Sequence, residues 1–304
     1  MNETEARRAS GRRPGFYESR CGGLHVVHRE GLDAAAVLFA IEVHRRRVAE
    51  RREECEAYGP GSSVSRVSVS GLDLAVKWNH SRGLRGALSD LWNGSRARRA
   101  AAGALRVEGL GLQAPQTWAT AESRKAGLVV ESFLLTGFCR GADPLPAAAP
   151  RFRADRRRRR ALVARLGETL GRLHAADLDH RDLKHSNLLV TPDDLLVLID
   201  LDSLARPRRM RWRLRVRALG QLEAYARDLY PWLGGGDRLR FLRAYLAETG
   251  LDATESSRLR RDVESWAQRR LSDWAAHPRA DRERFPMAPR RAEDEGAPEA
   301  GSCS

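Results

Sequence analysis

The stretch His180-Arg181-Asp182-Leu183-Lys184-His185-Ser186-Asn187 decides the reading of this chain. It sets an aspartate and an asparagine five residues apart, with a lysine between them. A short apolar hairpin then leads to a second aspartate through Leu195-Leu196-Val197-Leu198-Ile199-Asp200. Transfer of a phosphoryl group to a hydroxyl needs this set: a carboxylate to orient the hydroxyl and take its proton, an amide oxygen and a second carboxylate to hold magnesium, and a lysine to neutralise the moving phosphate. On that logic Asp182 is the base, Lys184 steadies the transferred group, and Asn187 and Asp200 are the metal ligands. Each has a plainer reading as a turn aspartate, a turn asparagine, a solvated lysine or a strand-end aspartate. Chance rarely supplies them in this order. A carboxylate closing an apolar strand is also expensive unless paired with a metal or a cation. Asp202, two residues on, is a weaker second ligand.

Working outward toward the N-terminus, Leu74-Ala75-Val76-Lys77 ends an alternating strand in a lysine. That placement suits a side chain gripping nucleotide phosphates. Upstream lies the turn Tyr58-Gly59-Pro60-Gly61-Ser62-Ser63. Gly59, Gly61, Ser62 and Ser63 would form a phosphate-covering loop with amides aimed at oxygens, although such a turn alone could close any hairpin. A strand lysine of this kind usually pairs with a glutamate inside the next helix. Here that helix reads Arg96-Ala97-Arg98-Arg99-Ala100-Ala101-Ala102-Gly103 and contains none, so the partner of Lys77 is unassigned.

The remaining pattern is mostly strands, then mostly helices. Short strands are expected at 24–27, 64–69, 72–76, 116–121 and 128–135. Asp33 caps a helix running to about Glu54, and Ser95 caps a second from Arg96 to Val107, closed by Gly109 or Gly111. Asp143 to Pro150 is a Pro/Ala segment that reads as the boundary between two lobes. A helix over 155–176 carries Leu162, Val163, Leu166, Leu170 and Leu173 on one face. Residues 213–274 read as helical throughout, with Leu239, Phe241, Leu242, Tyr245 and Leu246 as a core patch. The expected fold class is α+β: a small antiparallel-sheet N-lobe stacked on a helical C-lobe, with the site in the cleft between them. The corresponding division is a disordered N-terminus (1–20), an N-lobe (21–142), a helical C-lobe (143–277) and a disordered tail (278–304).

Composition narrows the class of function. The chain has 304 residues, 42% of them hydrophobic, and a formal net charge of +14. That balance favours anionic partners: phosphate-bearing substrates, an acidic membrane face, or nucleic acid. The four cysteines are scattered, with no metal-site or disulfide framework, which suits a reducing cytoplasm. The longest apolar run is far too short to span a bilayer. Only roughly a dozen residues separate Asp200 from the next helix, and no Ala-Pro-Glu occurs there, whereas peptide-directed kinases need a longer docking segment. Both features favour a small-molecule or glycan hydroxyl as acceptor. Alternating basic and apolar residues from Arg209 to Arg217 place positive charge where that acceptor would enter, and the run Arg156 to Arg160 reads as a solvated helix start.

Taken together, Leu74 to Lys77, Ser95-Arg96-Ala97 ahead of Gly111-Leu112-Gln113-Ala114-Pro115, the loop His180 to Asn187, the strand into Asp200-Leu201-Asp202, and Arg211-Trp212-Arg213-Leu214 with Arg240 to Leu246 resemble the bacterial lipopolysaccharide core kinases of the Kdo/WaaP type. The resemblance runs from about residue 20 to 250 and implies a two-lobed protein-kinase-like fold. It implies ATP- and magnesium-dependent phosphorylation of a heptose or Kdo hydroxyl at the cytoplasmic face of the inner membrane, with possible peripheral contact to an anionic membrane surface. Lys77, Asp182, Asn187 and Asp200 carry over as nucleotide, base and metal residues. The adenine edge would meet backbone near Gly137 to Cys139. The missing helix glutamate departs from the pattern and keeps open a pseudokinase, a nucleotide-binding module without efficient transfer. A nucleic-acid-binding reading has only the charge behind it: no aromatic stacking platform or helix-turn-helix signal accompanies it, so no specific nucleic acid is expected.

Overall fold

A computed structural model describes residues 15–51, 55–59, 61–80, 90 and 93–276. Seven antiparallel strands form one sheet: β1 (Phe16–Cys21), β2 (Leu24–Arg29), β3 (Ala57–Gly59), β4 (Ser62–Val69), β5 (Leu72–His80), β6 (Thr117–Lys125) and β7 (Leu128–Gly137). Their spatial order is β1-β2-β6-β7-β5-β4-β3. β1 corrects one expectation, because Phe16–Arg20 lies inside the stretch read as disordered. It is a polar edge strand whose order comes from pairing with β2 across Gly22-Gly23, both at positive φ. Residues 1–14 and the tail expected over 278–304 lie outside the described residues.

Helix α1 (Ala34–Glu50) starts where expected, with the Asp33 carboxylate accepting from the Ala36 amide at 2.7 Å. It covers one face of the sheet, where Val37, Ala40 and Ile41 pack against Leu74, Val76, Phe133 and Leu135. Because side chains alternate across a strand, Ala75 and Lys77 must point to the opposite face. On that face lies α2 (Arg96–Glu108), capped by Ser95 and closed at Gly109.

The segment read as a Pro/Ala boundary is structured. Its first two residues form β8 (Asp143–Pro144), paired with β10 (Leu188–Val190), and the rest opens α3 (Leu145–Ala154), which buries Ala148, Ala149 and Phe152. Prolines are tolerated at a helix start, and alanine has the highest helix propensity. α4 (Arg156–Ala175) follows, capped by Asp155. The arginines at its start are more than solvated: Arg158 makes two 2.7 Å hydrogen bonds to Asp194, tying α4 to the turn between β10 and β11 (Leu196–Leu198).

The span expected to be helical throughout is three helices, α5 (Trp212–Leu229), α6 (Gly235–Thr249) and α7 (Ala253–Ala276), with Gly250 closing α6 in the left-handed region. Tyr245 is fully buried and Phe241, Leu242 and Leu246 pack beside it, but Leu239 is exposed. Two residues before Phe241, it is turned roughly 200° around the helix axis. α4 meets α6 backbone to backbone: a Cβ on Gly171 would sit 2.9 Å from the Tyr245 carbonyl oxygen.

The Tyr245 hydroxyl lies 2.9 Å from Nδ1 of buried His174. Burial, with the charges of Arg215 and Arg217 adding to it, lowers the His174 pKa from 6.5 to about 3. The unfolded chain therefore binds a proton that the folded state refuses. Stability is complete above pH 6.5 and falls as the pH drops from there toward 3, by up to about 1.4 kcal/mol per pH unit from this residue. Urea unfolding measured between pH 7 and 5 should show that decline; a flat profile would contradict it.

Candidate active site

The loop His180–Asn187 hangs between two small strand pairs. β9 (Asp179–His180) pairs with β12 (Leu204–Ala205), and β10 pairs with β11. His180 holds backbone: its Nε2 donates to the Ile199 carbonyl at 3.2 Å, while Nδ1 lies 3.3 Å from Ser203 Oγ. Leu183 and Leu188 anchor the loop in the core. Just before Leu183, Asp182 stays exposed, with Lys184 Nζ 3.3 Å from its carboxylate. Asn187 is buried and donates its side-chain amide to the Asp182 carbonyl at 2.8 Å. Its side-chain oxygen accepts no hydrogen bond among the described residues.

Asp200 ends the approach from β11 in the left-handed region, at φ 60° and ψ 44°. For a residue other than glycine this conformation costs of order 1–3 kcal/mol and persists only where the surroundings enforce it. Lys77 reaches across from β5 and ion-pairs with Asp200. Burial opposes ionisation of Asp200, yet the Lys77 charge and hydrogen bond, with Asp202 and Arg96, outweigh it and hold the carboxyl well below its usual range. Asp202 moves the other way: burial and the Asp200 charge raise its pKa against the pull of Lys77 and Arg96.

The helix that lacks a glutamate supplies arginines in its place. Arg96 Nε donates to Asp202 at 2.5 Å, and its Nη1 donates to the Gly61 carbonyl at 3.3 Å. Arg99 reaches the Asp202 carbonyl at 3.4 Å. Gly103 lets α2 lie directly on this loop, since a Cβ there would fall 2.6 Å from the Leu201 carbonyl oxygen. The usual polarity is therefore inverted: the cation is on the helix and the carboxylate on the loop beside Asp200. Arg96 and Asp202 are 106 residues apart, and no local spacing in the sequence marks them as partners.

The glycine turn is a tight hairpin in which Gly59 pairs with Ser62. Ser62 shares the Lys77 face of the sheet, because Val64 pairs with Lys77. Ser63 does not: its hydroxyl is buried on the α1 side, 3.0 Å from His44 Nε2. That leaves its backbone amide, the group the phosphate-covering loop would use. In the hinge, the Gly137 amide donates to Gln116 and the Phe138 amide to Asp73, both at 2.8 Å. The Cys139 amide donates to nothing among the described residues, and burial raises the pKa of its thiol.

The model of the lipopolysaccharide kinase (Kdo/WaaP) family matches residues 93–245. The chain belongs to that family. It is a lipopolysaccharide core kinase, a phosphotransferase acting on a sugar hydroxyl. A solved structure described as WaaP in complex with acyl carrier protein superposes with a TM-score of 0.57 at 23% identity, over 80% of this chain and 97% of that one. That likeness confirms the two-lobed kinase-like fold. Among curated proteins none matches.

On the far side of Asp182 the kinase opens a cavity of about 400 Å³, lined by Arg181, Asp182, Lys184, Arg217, Gln221 and Arg270 among others. Arg217 is fixed there by hydrogen bonds of 2.8 and 3.0 Å to buried Asp179. Of the alternating basic segment, Arg217 enters this cavity, while Arg209, Arg211 and Arg213 are exposed. No helix among the described residues is long and apolar enough to cross a membrane.

Proposed function

We propose that this kinase moves the terminal phosphate of ATP onto a heptose or Kdo hydroxyl of the lipopolysaccharide inner core, in the cleft between Lys77 and Asp182. The observation that carries the proposal is the convergence of Lys77 with Asp200 and of Lys184 and Asn187 with Asp182.

In this reading the acceptor hydroxyl enters from the cation-lined cavity and donates its proton to Asp182, which solvent exposure and the loop geometry leave free to turn toward it. Lys184, beside that carboxylate, offsets charge on the group in transit. Lys77 holds the nucleotide phosphates, under the backbone of Gly59, Gly61, Ser62 and Ser63. The amide of Cys139, with the carbonyl of Gly137, meets the adenine edge.

The donor set fits magnesium. Asp200 is kept ionised, Asn187 has an unengaged carbonyl oxygen, and both are hard oxygen donors. Among the described residues no group of three or more His, Cys, Asp or Glu could hold a metal by itself. Magnesium commonly takes one or two carboxylates and completes its shell with phosphate oxygens and water. Bound there, magnesium would neutralise charge on the phosphate oxygens.

ATP as donor places the reaction on the cytoplasmic side of the inner membrane. The exposed arginines 206, 208, 209 and 211 would face its anionic surface. Lys77 pairs with Asp200 where a helix glutamate was expected, and Arg96 ties the helix to Asp202, which supports transfer over a module without it.

Release of ADP, followed with a panel of deacylated core glycans, tests the function. Magnesium-dependent release that rises on adding one of these glycans is expected. Release indifferent to every glycan, or none at all, would refute it.

A further inference from the structure

Beside the acceptor cleft lies a second cavity, of about 690 Å³, along the seam of α5 and α7. The two adjoin, since Arg217 lines both. The second is walled by Trp212, Arg213, Trp266 and Arg269, with Asp262 and Ser265. Its rings are held in place. Trp266 lies across Gly220, where a Cβ would meet the indole at 2.6 Å. Trp212 donates its indole N–H to Asp262 at 2.7 Å, and Arg258 covers its ring at 4.7 Å. The cations are less committed. Arg213 makes no ion pair among the described residues, and Arg269 donates only to Ser265 Oγ, at 2.6 Å.

We infer that this cavity is a second glycan subsite, taking a phosphate- or carboxylate-bearing sugar that adjoins the residue to be phosphorylated. The inference rests on the proposed sugar-kinase activity and adds to it a site and a ligand class. Three features carry it. The volume lies within the range of ordinary ligand pockets, of order 300–1,000 Å³. Guanidinium groups recognise phosphate and carboxylate with matched geometry, and fixed aromatic rings present apolar surface with a polar edge. The shared Arg217 sets the two cavities side by side, so a single oligosaccharide could reach from one to the other. A membrane surface suits the site less well. Among the described residues the exposed large hydrophobic ones, Phe39, Leu195 and Leu239, do not line the cavity. The α7 wall also lies beyond residue 245, where the family match ends.

The test uses the full chain carrying Arg213→Glu and Arg269→Glu together, both at exposed positions. Two acceptors are compared: a deacylated core oligosaccharide bearing phosphate groups, and a methyl glycoside of the single acceptor sugar. The double variant should raise KM for the oligosaccharide by about tenfold or more, equivalent to about 1.4 kcal/mol. Its kcat, its KM for ATP and its KM for the single sugar should not change. An unchanged oligosaccharide KM, or an equal rise for the single sugar, overturns the subsite.

If the unaltered kinase phosphorylates neither acceptor, the proposed function fails by itself. Calorimetric binding of the same oligosaccharide then decides the subsite. Binding that the double variant loses supports it, whereas equal binding by both proteins, or none by either, overturns it. Loss of binding to phosphatidylglycerol vesicles with an unchanged oligosaccharide KM would reassign the surface to lipid, which also overturns it.

Discussion

Asp182→Asn should lower kcat by about a thousandfold while leaving the melting temperature within a degree or two of the parent, given that exposed substitutions away from packed features are usually neutral. The side chain stands half in solvent and contributes to neither apolar core; its near neighbours are Lys184 at 3.3 Å and the Asn187 amide at 3.4 Å. The asparagine keeps that shape but accepts no proton, so only the proton transfer is lost. KM for ATP should therefore stay where it was, because Lys77, Asn187 and Asp200 are untouched. Steady-state kinetics on the glycan that stimulates ADP release, with a thermal melt of the same preparation, checks this. A kcat within threefold of the parent would remove Asp182 from the reaction.

Arg96→Met should lower kcat by about a hundredfold, the scale expected when positioned charge is lost or a reacting group is displaced by about an ångström. Arg96 ties three pieces together: α2, the Gly61 carbonyl of the hairpin and Asp202 of the metal loop. Without it, Asp202 is half-buried beside Asp200 with its nearest counter-charge gone. Its pKa, already raised by burial and by Asp200, must rise further. Protonated Asp202 would cost the loop its charged tie to α2 and to the hairpin, leaving Lys77 on Asp200 and Arg99 on the Asp202 carbonyl to hold it. Arg96→Lys should recover only part of the rate, since a single ammonium cannot reach Asp202 and the Gly61 carbonyl as a guanidinium does. Asp202→Asn should cost less than Arg96→Met, and the double change should cost little beyond Arg96→Met alone, because the two residues act through one interaction. Additive losses across that cycle, or full activity in Arg96→Met, would show that the pair does not position the loop.

The sequence made legible what is local. Asp33 and Ser95 announce their helices because a capping side chain acts within three residues. The Asp182–Asn187 loop is legible for the same reason, with every member inside one short segment. What escaped reading depends on partners distant in the chain. Lys77 meets Asp200 across 123 residues and Arg96 meets Asp202 across 106, so the absence of a helix glutamate was visible while its replacement was not. Strand parity turns the Ser63 hydroxyl toward His44, 19 residues away in the chain, a pairing that no local spacing marks. The polar β1 strand has no hydrophobic pattern of its own and is ordered by its neighbour. Leu239 carries a hydrophobic side chain on the wrong face of α6, which composition does not reveal but helical phase does.

The central claim is that these residues together deliver the terminal phosphate of a nucleotide to a sugar hydroxyl. Phosphorus NMR of the core glycan, after incubation with ATP isotopically labelled in its terminal phosphate, tests that claim most directly. The account predicts a new phosphomonoester on a ring hydroxyl that carries the label. Label recovered only as inorganic phosphate, or on the protein itself, would contradict it.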